Sequence, residues 1–552
     1  MSSFDTIVVG AGSAGCVVAA RLSEDPSHRV LLLEAGGRID RFYDVLTRMP
    51  AALSMPLGRR RYDWCFSSEP ELQLNRRRIA HPRGRGLGGS SAINGMAYVR
   101  GHPEDYNRWA RLGATGWRYE DVLPYFRRAE GARDPARDAF YRGSDGPLAT
   151  TRGTLDNPLH GAFLGAAREA GFPVRADLNT PRQEGFGPLQ MTVDRGIRAS
   201  TNRAYLQPAA ARGNLEILDR VEVDRLLFDG RRVVGIEAAR RRTRLRLRAG
   251  RIVLCAGAIG TPTILQRSGV GPGHLLRPLG IDPVLDAAEV GANLRDHLEV
   301  YVQQACTRPV SLNRKLGWLQ RGVIGARWLT RRSGIGASNQ FETGGFVRSR
   351  PEQTWPDLQF HFLPGAIRYD GTAAPVADGF QVHVGPMSSE ARGSVRLRSA
   401  DMRDAPVLRF NYMSEMDDWV TFRAGIRLAR ELFRQPALAD FVGAEVSPGA
   451  HADSDHQLDA FIRGNAESAY HPCGTCRMGS DETAVADPDG RVRGVDDLWI
   501  ADASLFPHLT NGNLNAPTIM LAEKIAHGLQ GQRLPPDTLT EEAASPVRAA
   551  VE

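Results

Sequence analysis

At 552 residues and 60.4 kDa the chain exceeds the size at which one core keeps growing, so two linked domains are expected and a small binding module is excluded. Its 42% hydrophobic and 24% charged residues are ordinary for a globular protein. The net charge of +7 rests on 70 basic residues of which only Lys315 and Lys524 are lysines, so it reads as a general preference for arginine and not as a nucleic-acid surface.

Met1-Ser2-Ser3 runs straight into a strand, with no basic n-region or apolar h-region, and no apolar run approaches the roughly 18 residues of a spanning helix. With six scattered cysteines read as free thiols, a reducing, cytoplasmic setting is expected. The β-branched run Phe4–Val9 leads into Gly10-Ala11-Gly12-Ser13-Ala14-Gly15, then a helical stretch, then the strand Val30–Leu33 ending on Glu34. In such a unit the glycine turn brings backbone N–H groups to a pyrophosphate at a helix N-terminus, and the carboxylate accepts from a ribose hydroxyl. An acid at that position argues against a 2′-phosphate.

The stretch Arg83–Met96 holds Gly84, Gly86, Gly88, Gly89, Ser90 and Ser91; it suits backbone lying flat on a planar or phosphorylated ligand, or else a flexible surface loop. The run Arg240–Arg248 alternates Arg with Leu at its end, as a half-buried strand does. It is followed by a strand to Cys255 and a second small-residue turn, Ala256–Leu265.

Late in the chain, Tyr470-His471-Pro472-Cys473-Gly474-Thr475-Cys476 puts one imidazole on a loop bounded by Pro and Gly. His471 is the candidate base, because an imidazole accepts a proton near neutral pH; a purely structural loop is the other reading. Cys473-x-x-Cys476 matches a redox pair or half a zinc site, but there is no second CxxC and no βαβ pattern before it, so no metal is expected. Asn511, Asn513 and Asn515 precede a helix, and each has the plain reading of an N-cap.

Together these segments, with Val290–His297 and Ala501–Ser504, resemble in order and spacing the glucose–methanol–choline (GMC) flavoprotein oxidoreductases over almost the whole chain. Within that family the resemblance is to the bacterial choline dehydrogenase branch, through Arg48–Pro56, Asp296–Glu299, Gly334–Phe346 and Ser468–Gly479. It implies an α/β (α+β overall) protein: a discontinuous Rossmann-type FAD-binding domain (1–155, 190–300, 465–532) and a substrate domain on a mixed or antiparallel sheet (156–189, 301–464). Residues 533–552 read as a disordered tail.

The implied cofactor is FAD, with the adenosine end on Gly10, Gly12, Gly15 and Glu34, and Val223 giving backbone contacts to the adenine. The isoalloxazine lies against Gly88, Ser91, Asn94 and Gly95; Ala256, Asp502, Ala503 and Asn515 complete the cofactor set. Some relatives tether FAD through a histidine where Ile93 stands here, so non-covalent FAD is expected. His471 takes the hydroxyl proton, Asn513 donates to the oxygen and hydride passes to flavin N5, the roles of Asn513 and Asn515 being exchangeable at this level.

For choline, a trimethylammonium group wants aromatic walls and a carboxylate. No acid lies between Glu299 and Glu342, so Glu342 is the nearest candidate, with Trp64, Tyr470 and His361 as walls. A paired core or surface carboxylate is the other reading of Glu342. Choline oxidation to betaine aldehyde, on the way to glycine betaine, with a non-oxygen acceptor such as a quinone, is therefore expected. The alternatives are other aliphatic or aromatic primary alcohols, or a catalytically silent flavin-binding protein. Arg314–Arg332, with Trp318 and Trp328, reads either as a solvated helix packing its tryptophans inward or as a peripheral contact with the inner membrane.

Overall fold

The computed structural model describes residues 4–134, 137–368 and 371–538. Strand Phe4–Val9, rich in Ile and Val and buried over its last four residues, pairs in parallel with Val30–Glu34 on one side and with the end of Thr243–Leu254 on the other. Leu215–Asp219 extends the sheet beyond Val30–Glu34, and Leu498–Ile500 pairs in parallel with Ile252–Leu254. Val30–Glu34 and the last four residues of Phe4–Val9 are covered on both faces, which is why they read as continuous apolar runs. The first half of Thr243–Leu254 forms an antiparallel ribbon with Arg232–Arg240 and Glu222–Asp229. There Arg244, Arg246 and Arg248 point outward while Leu245 and Leu247 pack on the core, as the alternation predicts.

Helix Ser13–Leu22 lies against helix Asn515–Leu529 from the far end of the chain. Ser13 Oγ donates to Asn515 Oδ1 at 2.8 Å, and Arg21 pairs with the buried Glu523 at 2.8 Å. A second sheet is antiparallel at every pairing in its main path and runs in the order Val442–Ser447, Leu298–Cys306, Gly379–Pro386, Leu358–Leu363, Thr343–Val347, Gly185–Pro188. Side chains alternate between faces along each strand. Val300, Val302, Phe360, Phe362, Val382 and Val384 pack with helices Pro158–Glu169 and Met416–Phe433 into one core. Glu299, Tyr301, His361, Gln381 and His383 face the other way, over a cavity between the two sheets.

In helix Trp318–Arg331, Trp328 packs inward and is 0% exposed beside Met49 and Ala52, whereas Trp318 is 81% exposed. Part of the expected tail is tied to the protein. Leu534 N–H donates to the Tyr125 hydroxyl and Asp537 pairs with Arg127 at 2.6 Å, which ties 533–538 to the protein; 539–552 lie outside the described residues. Among the described residues, no helix is long and apolar enough to cross a membrane.

Candidate active site

A cavity of about 1350 Å³ runs from the glycine turn to the polar face of the second sheet. Gly10, Gly12, Glu34, Asn94, Gly95, Val223, Ala256, Asp502, Ala503, Asn513 and Asn515 line it, as do His471, Trp64, His361 and Tyr470. The N-termini of helices Ser13–Leu22, Gly257–Arg267 and Asn515–Leu529 all meet it, and none is closed by its N-cap side chain. Backbone N–H groups and helix dipoles there favour an anion. A Cβ on Gly10, at φ +97°, would stand 2.6 Å from Cys255 O, and one on Gly89 would stand 2.6 Å from Gly12 Cα. The two glycine-rich loops thus touch through bare backbone, and the volume and donor set fit a dinucleotide such as FAD.

Four expected residues, Gly15, Gly88, Ser91 and Glu342, stand outside the cavity lining. Gly15 is enclosed: a Cβ there would meet Gly10 O at 1.8 Å, so its smallness serves packing of helix on turn. Gly88 packs against Ala92, Ser200 and Asn202, and Ser91 turns back, donating to Gly88 O at 2.6 Å and pairing with Thr201 Oγ1 at 3.0 Å. Glu34 accepts from Ala11 N at 2.9 Å and Gly36 N at 2.8 Å, tying the turn to the strand it ends while still bordering the cavity.

Glu342 is the clear correction. It accepts from Leu155 N at 2.8 Å and from Ser338 Oγ, and a Cβ on Gly153 would overlap its side chain; it is a core carboxylate satisfied by its neighbours. Where the cavity meets the polar face of the second sheet, Glu299 lines it. Its strand register sets Tyr301 opposite His383, stacked at 3.7 Å, with Phe341 edge-on to His383 at 5.0 Å. His383 Nδ1 lies 3.2 Å from Glu299 Oε1. The Gln381 amide oxygen already accepts from Gln303 and Ile367, so its nitrogen donates to His383 Nε2 at 2.8 Å. The proton of a neutral His383 therefore sits on Nδ1, toward Glu299.

His471 is held from behind. Tyr470 adopts φ +66°, its N–H donates to Ser468 Oγ at 2.8 Å, and the His471 N–H donates to Asp296 Oδ1 at 2.6 Å. Ser468 and Tyr412 hydroxyls hold the other Asp296 oxygen, and burial raises this carboxyl to about 6. Cys473 exchanges backbone hydrogen bonds with Arg295, so the loop is stitched down like a strand. Both cysteines of the pair are buried free thiols.

The tautomer follows from one carbonyl. Met387 O only accepts, so His297 Nε2, 3.1 Å away, donates to it, and His297 Nδ1 is left to accept. His471 Nδ1, 3.1 Å from that atom, carries the proton. His471 Nε2 is then a bare lone pair beside Asn513 Nδ2 at 3.1 Å. Gln359 Nε2 donates to Asn513 Oδ1 at 3.2 Å, which fixes the amide this way round. Burial, with His297, Arg83 and His361 nearby, holds the His471 pKa well below its ordinary value, so it is neutral at neutral pH. The site thus presents a neutral base and an amide donor side by side. Sequence reading named the Asp296–Glu299 motif without assigning it work. The signal available was the i, i+2 spacing of His297, Glu299 and Tyr301 into a strand.

Sequence models of the GMC oxidoreductase family match residues 4–299 and 389–522. The chain is 51% identical over 537 residues to the oxygen-dependent choline dehydrogenase of Pseudomonas fluorescens Pf0-1, covering 96% of this chain and 94% of that one. It is 49% identical over 533 residues to the protein of that name in Brucella ovis, covering 96% of each. Among solved structures it is similar to pyridoxine 4-oxidase from Mesorbium loti, with TM-score 0.87 and 30% identity over 96% of this chain and 100% of that one. It is also similar to an Aspergillus oryzae formate oxidase variant, with TM-score 0.90 and 25% identity over 96% and 98% of the two chains.

Proposed function

The chain belongs to the GMC oxidoreductase family, with FAD as its cofactor, and on that premise we propose that it oxidises choline to betaine aldehyde with His471 as the base. The observation that carries the choline reading is the Glu299 carboxylate, which lines, together with Tyr301, Phe341, Trp64 and Tyr470, the cavity that also holds His471. A quaternary ammonium ion forms no hydrogen bonds and is held by ring faces and an opposite charge. The names of the relatives agree with this substrate.

The chain's own groups then divide the work. A substrate hydroxyl reaching His471 Nε2 gives up its proton there, while the Nδ1 proton remains shared with His297. Asn513 Nδ2 donates to the oxygen as it gains alkoxide character, and Gln359 keeps the amide from turning over. Bound FAD supplies the hydride acceptor. Glu299 anchors the cationic end and thereby aims the hydroxyl.

FAD is read as non-covalent, because Ile93, a buried aliphatic side chain packed with Ile39 and Tyr62, stands where a tethering histidine would be; acid precipitation releases FAD into the supernatant if so. A non-oxygen acceptor is supported by helix Trp318–Arg331 and the turn before it: Lys315, Arg321 and Ile324 border the cavity, while Trp318, Leu319 and Val323 are 81%, 61% and 64% exposed. An apolar and basic surface of this kind fits an anionic membrane holding a quinone. The relatives' names point instead to oxygen, and oxygen uptake measured against quinone reduction decides between them.

The test of the substrate is anaerobic mixing of FAD-loaded protein with choline and with neutral primary alcohols, following flavin absorbance near about 450 nm. Bleaching by choline supports the reading. Bleaching by neutral alcohols alone leaves only alcohol oxidation, and no bleaching by any of them leaves a silent flavoprotein.

A further inference from the structure

Among the described residues, the buried arginines are Arg100, Arg142, Arg198, Arg295 and Arg430. Arg100 and Arg142 pair with Glu130, Arg295 with Glu390 at 3.1 Å, and Arg430 with Glu445 at 2.8 Å. Arg198, 2% exposed, has no ion pair among the described residues. Its Nη1 donates to Asn94 O at 2.6 Å and Asn94 Oδ1 at 2.8 Å, while its Nε and Nη2 are buried without a hydrogen-bond partner. A buried cation without a counter-charge is strongly unfavourable, and a negative charge arriving nearby relieves that cost. Asn94 itself lines the cavity that holds His471 and Asn513. Three residues on, Thr201 binds both Ser91 Oγ at 3.0 Å and Gly12 O at 3.3 Å, so the segment carrying Arg198 backs both glycine loops.

The electron balance of the reaction names that charge. The alcohol loses one proton, to His471, and one hydride, to FAD; the hydride's electron pair leaves a neutral isoalloxazine with one negative charge. We propose that Arg198 is the fixed counter-charge for reduced, anionic FAD, a positioning residue that acts through Asn94 and sets the cofactor's reduction potential. The inference rests on the FAD reading above, which the visible flavin spectrum of the purified wild-type protein tests by itself.

The experiment uses FAD-loaded wild type, Arg198→Gln, Arg198→Met and Arg198→Lys. It reads the midpoint potential and the pH at which the dithionite-reduced spectrum changes from anionic to neutral. The two neutral variants shift the potential negative and move the spectral change to higher pH, and Lys returns both toward wild type. Neutral variants that load FAD and keep the wild-type potential overturn the proposal and leave Arg198 a clamp on Asn94. If neither neutral variant holds FAD, the wild type decides: its reduced flavin stays anionic at a pH where free reduced FAD is neutral, and a neutral spectrum there overturns the proposal.

Discussion

Replacing His297 by Phe tests the proton arrangement directly, because Phe keeps a ring in van der Waals contact with His471 but removes its acceptor. The rings stand 5.3 Å apart at 82°, so an edge-to-face contact survives the change. What is lost is the acceptor 3.1 Å from His471 Nδ1, which leaves a buried N–H unsatisfied in the productive tautomer. That costs about 1–3 kcal/mol. The alternative tautomer escapes the cost by moving the proton to Nε2, where it faces the Asn513 amide and can accept nothing from substrate. With about 1.4 kcal/mol per tenfold, the rate of substrate-dependent flavin bleaching falls by about 5- to 150-fold with substrate affinity little changed. Stopped-flow absorbance under anaerobic conditions at saturating choline measures it. His297→Gln, whose amide oxygen can accept from Nδ1, recovers part of the loss. A Phe variant within about twofold of wild type at every pH would refute the argument that Met387, through His297, sets the proton on His471.

Glu299→Gln raises KM for choline by about 10- to 150-fold, from the roughly 1.5–3 kcal/mol of attraction between unit charges about 5–10 Å apart at an effective dielectric of about 20, and leaves neutral alcohols unaffected; equal losses for both substrate classes would remove Glu299 from cation recognition. Because His471 must be unprotonated to act and its folded pKa lies well below 6.5, kcat/KM rises with pH through a value below 6.5 and is level above it on that side, and an acid limb centred at or above 6.5 contradicts the burial argument. Gly89→Ala, whose Cβ would meet Gly12 Cα at 2.6 Å with the backbone at φ +50°, lowers FAD occupancy read as the visible-to-ultraviolet absorbance ratio; full occupancy shows the loops free to separate. Burial alone would raise the Glu130 carboxyl, but Arg100 and Arg142 outweigh it and hold it at about 2, so it stabilises the fold above its unfolded value and that contribution is lost as pH falls through about 2. Glu130→Gln leaves Arg100 buried without a charge partner and Arg142 with Asp177 alone, and costs about 3–5 kcal/mol in denaturant unfolding; a loss under about 1 kcal/mol would show the cluster solvated.

The cofactor half was legible because backbone chemistry repeats in local sequence: strand, glycine turn, helix and acid stand in order between Phe4 and Glu34, and the cavity touches most of them. Gly15, Gly88 and Ser91 show the limit, since small residues that let elements approach read the same as small residues that face a ligand. The substrate side was less legible, because strand register decides which face a side chain takes. Glu342 and Glu299 both adjoin strands of one sheet, and only pairing with strands remote in sequence turns Glu299 to the cavity and Glu342 to Leu155 N. His297 was invisible for a related reason: its importance comes from Met387, 90 residues away.

The pairing of Val9 with Leu254, of Leu254 with Ile500, and of Ser13 with Asn515 gives the protein a schedule as well as a shape. At about 5–20 residues per second, the ribosome takes roughly 25–100 s to deliver the last of these partners after the first glycine turn has emerged. Through that interval the opening strand finds its neighbours at Val30–Glu34 and then Leu254, but its helix lacks the partner that covers it, Asn515–Leu529. The nucleotide end of the cofactor site therefore closes last, although its signature is read first, and chains ending before Asn515 should accumulate without FAD in any host that makes them.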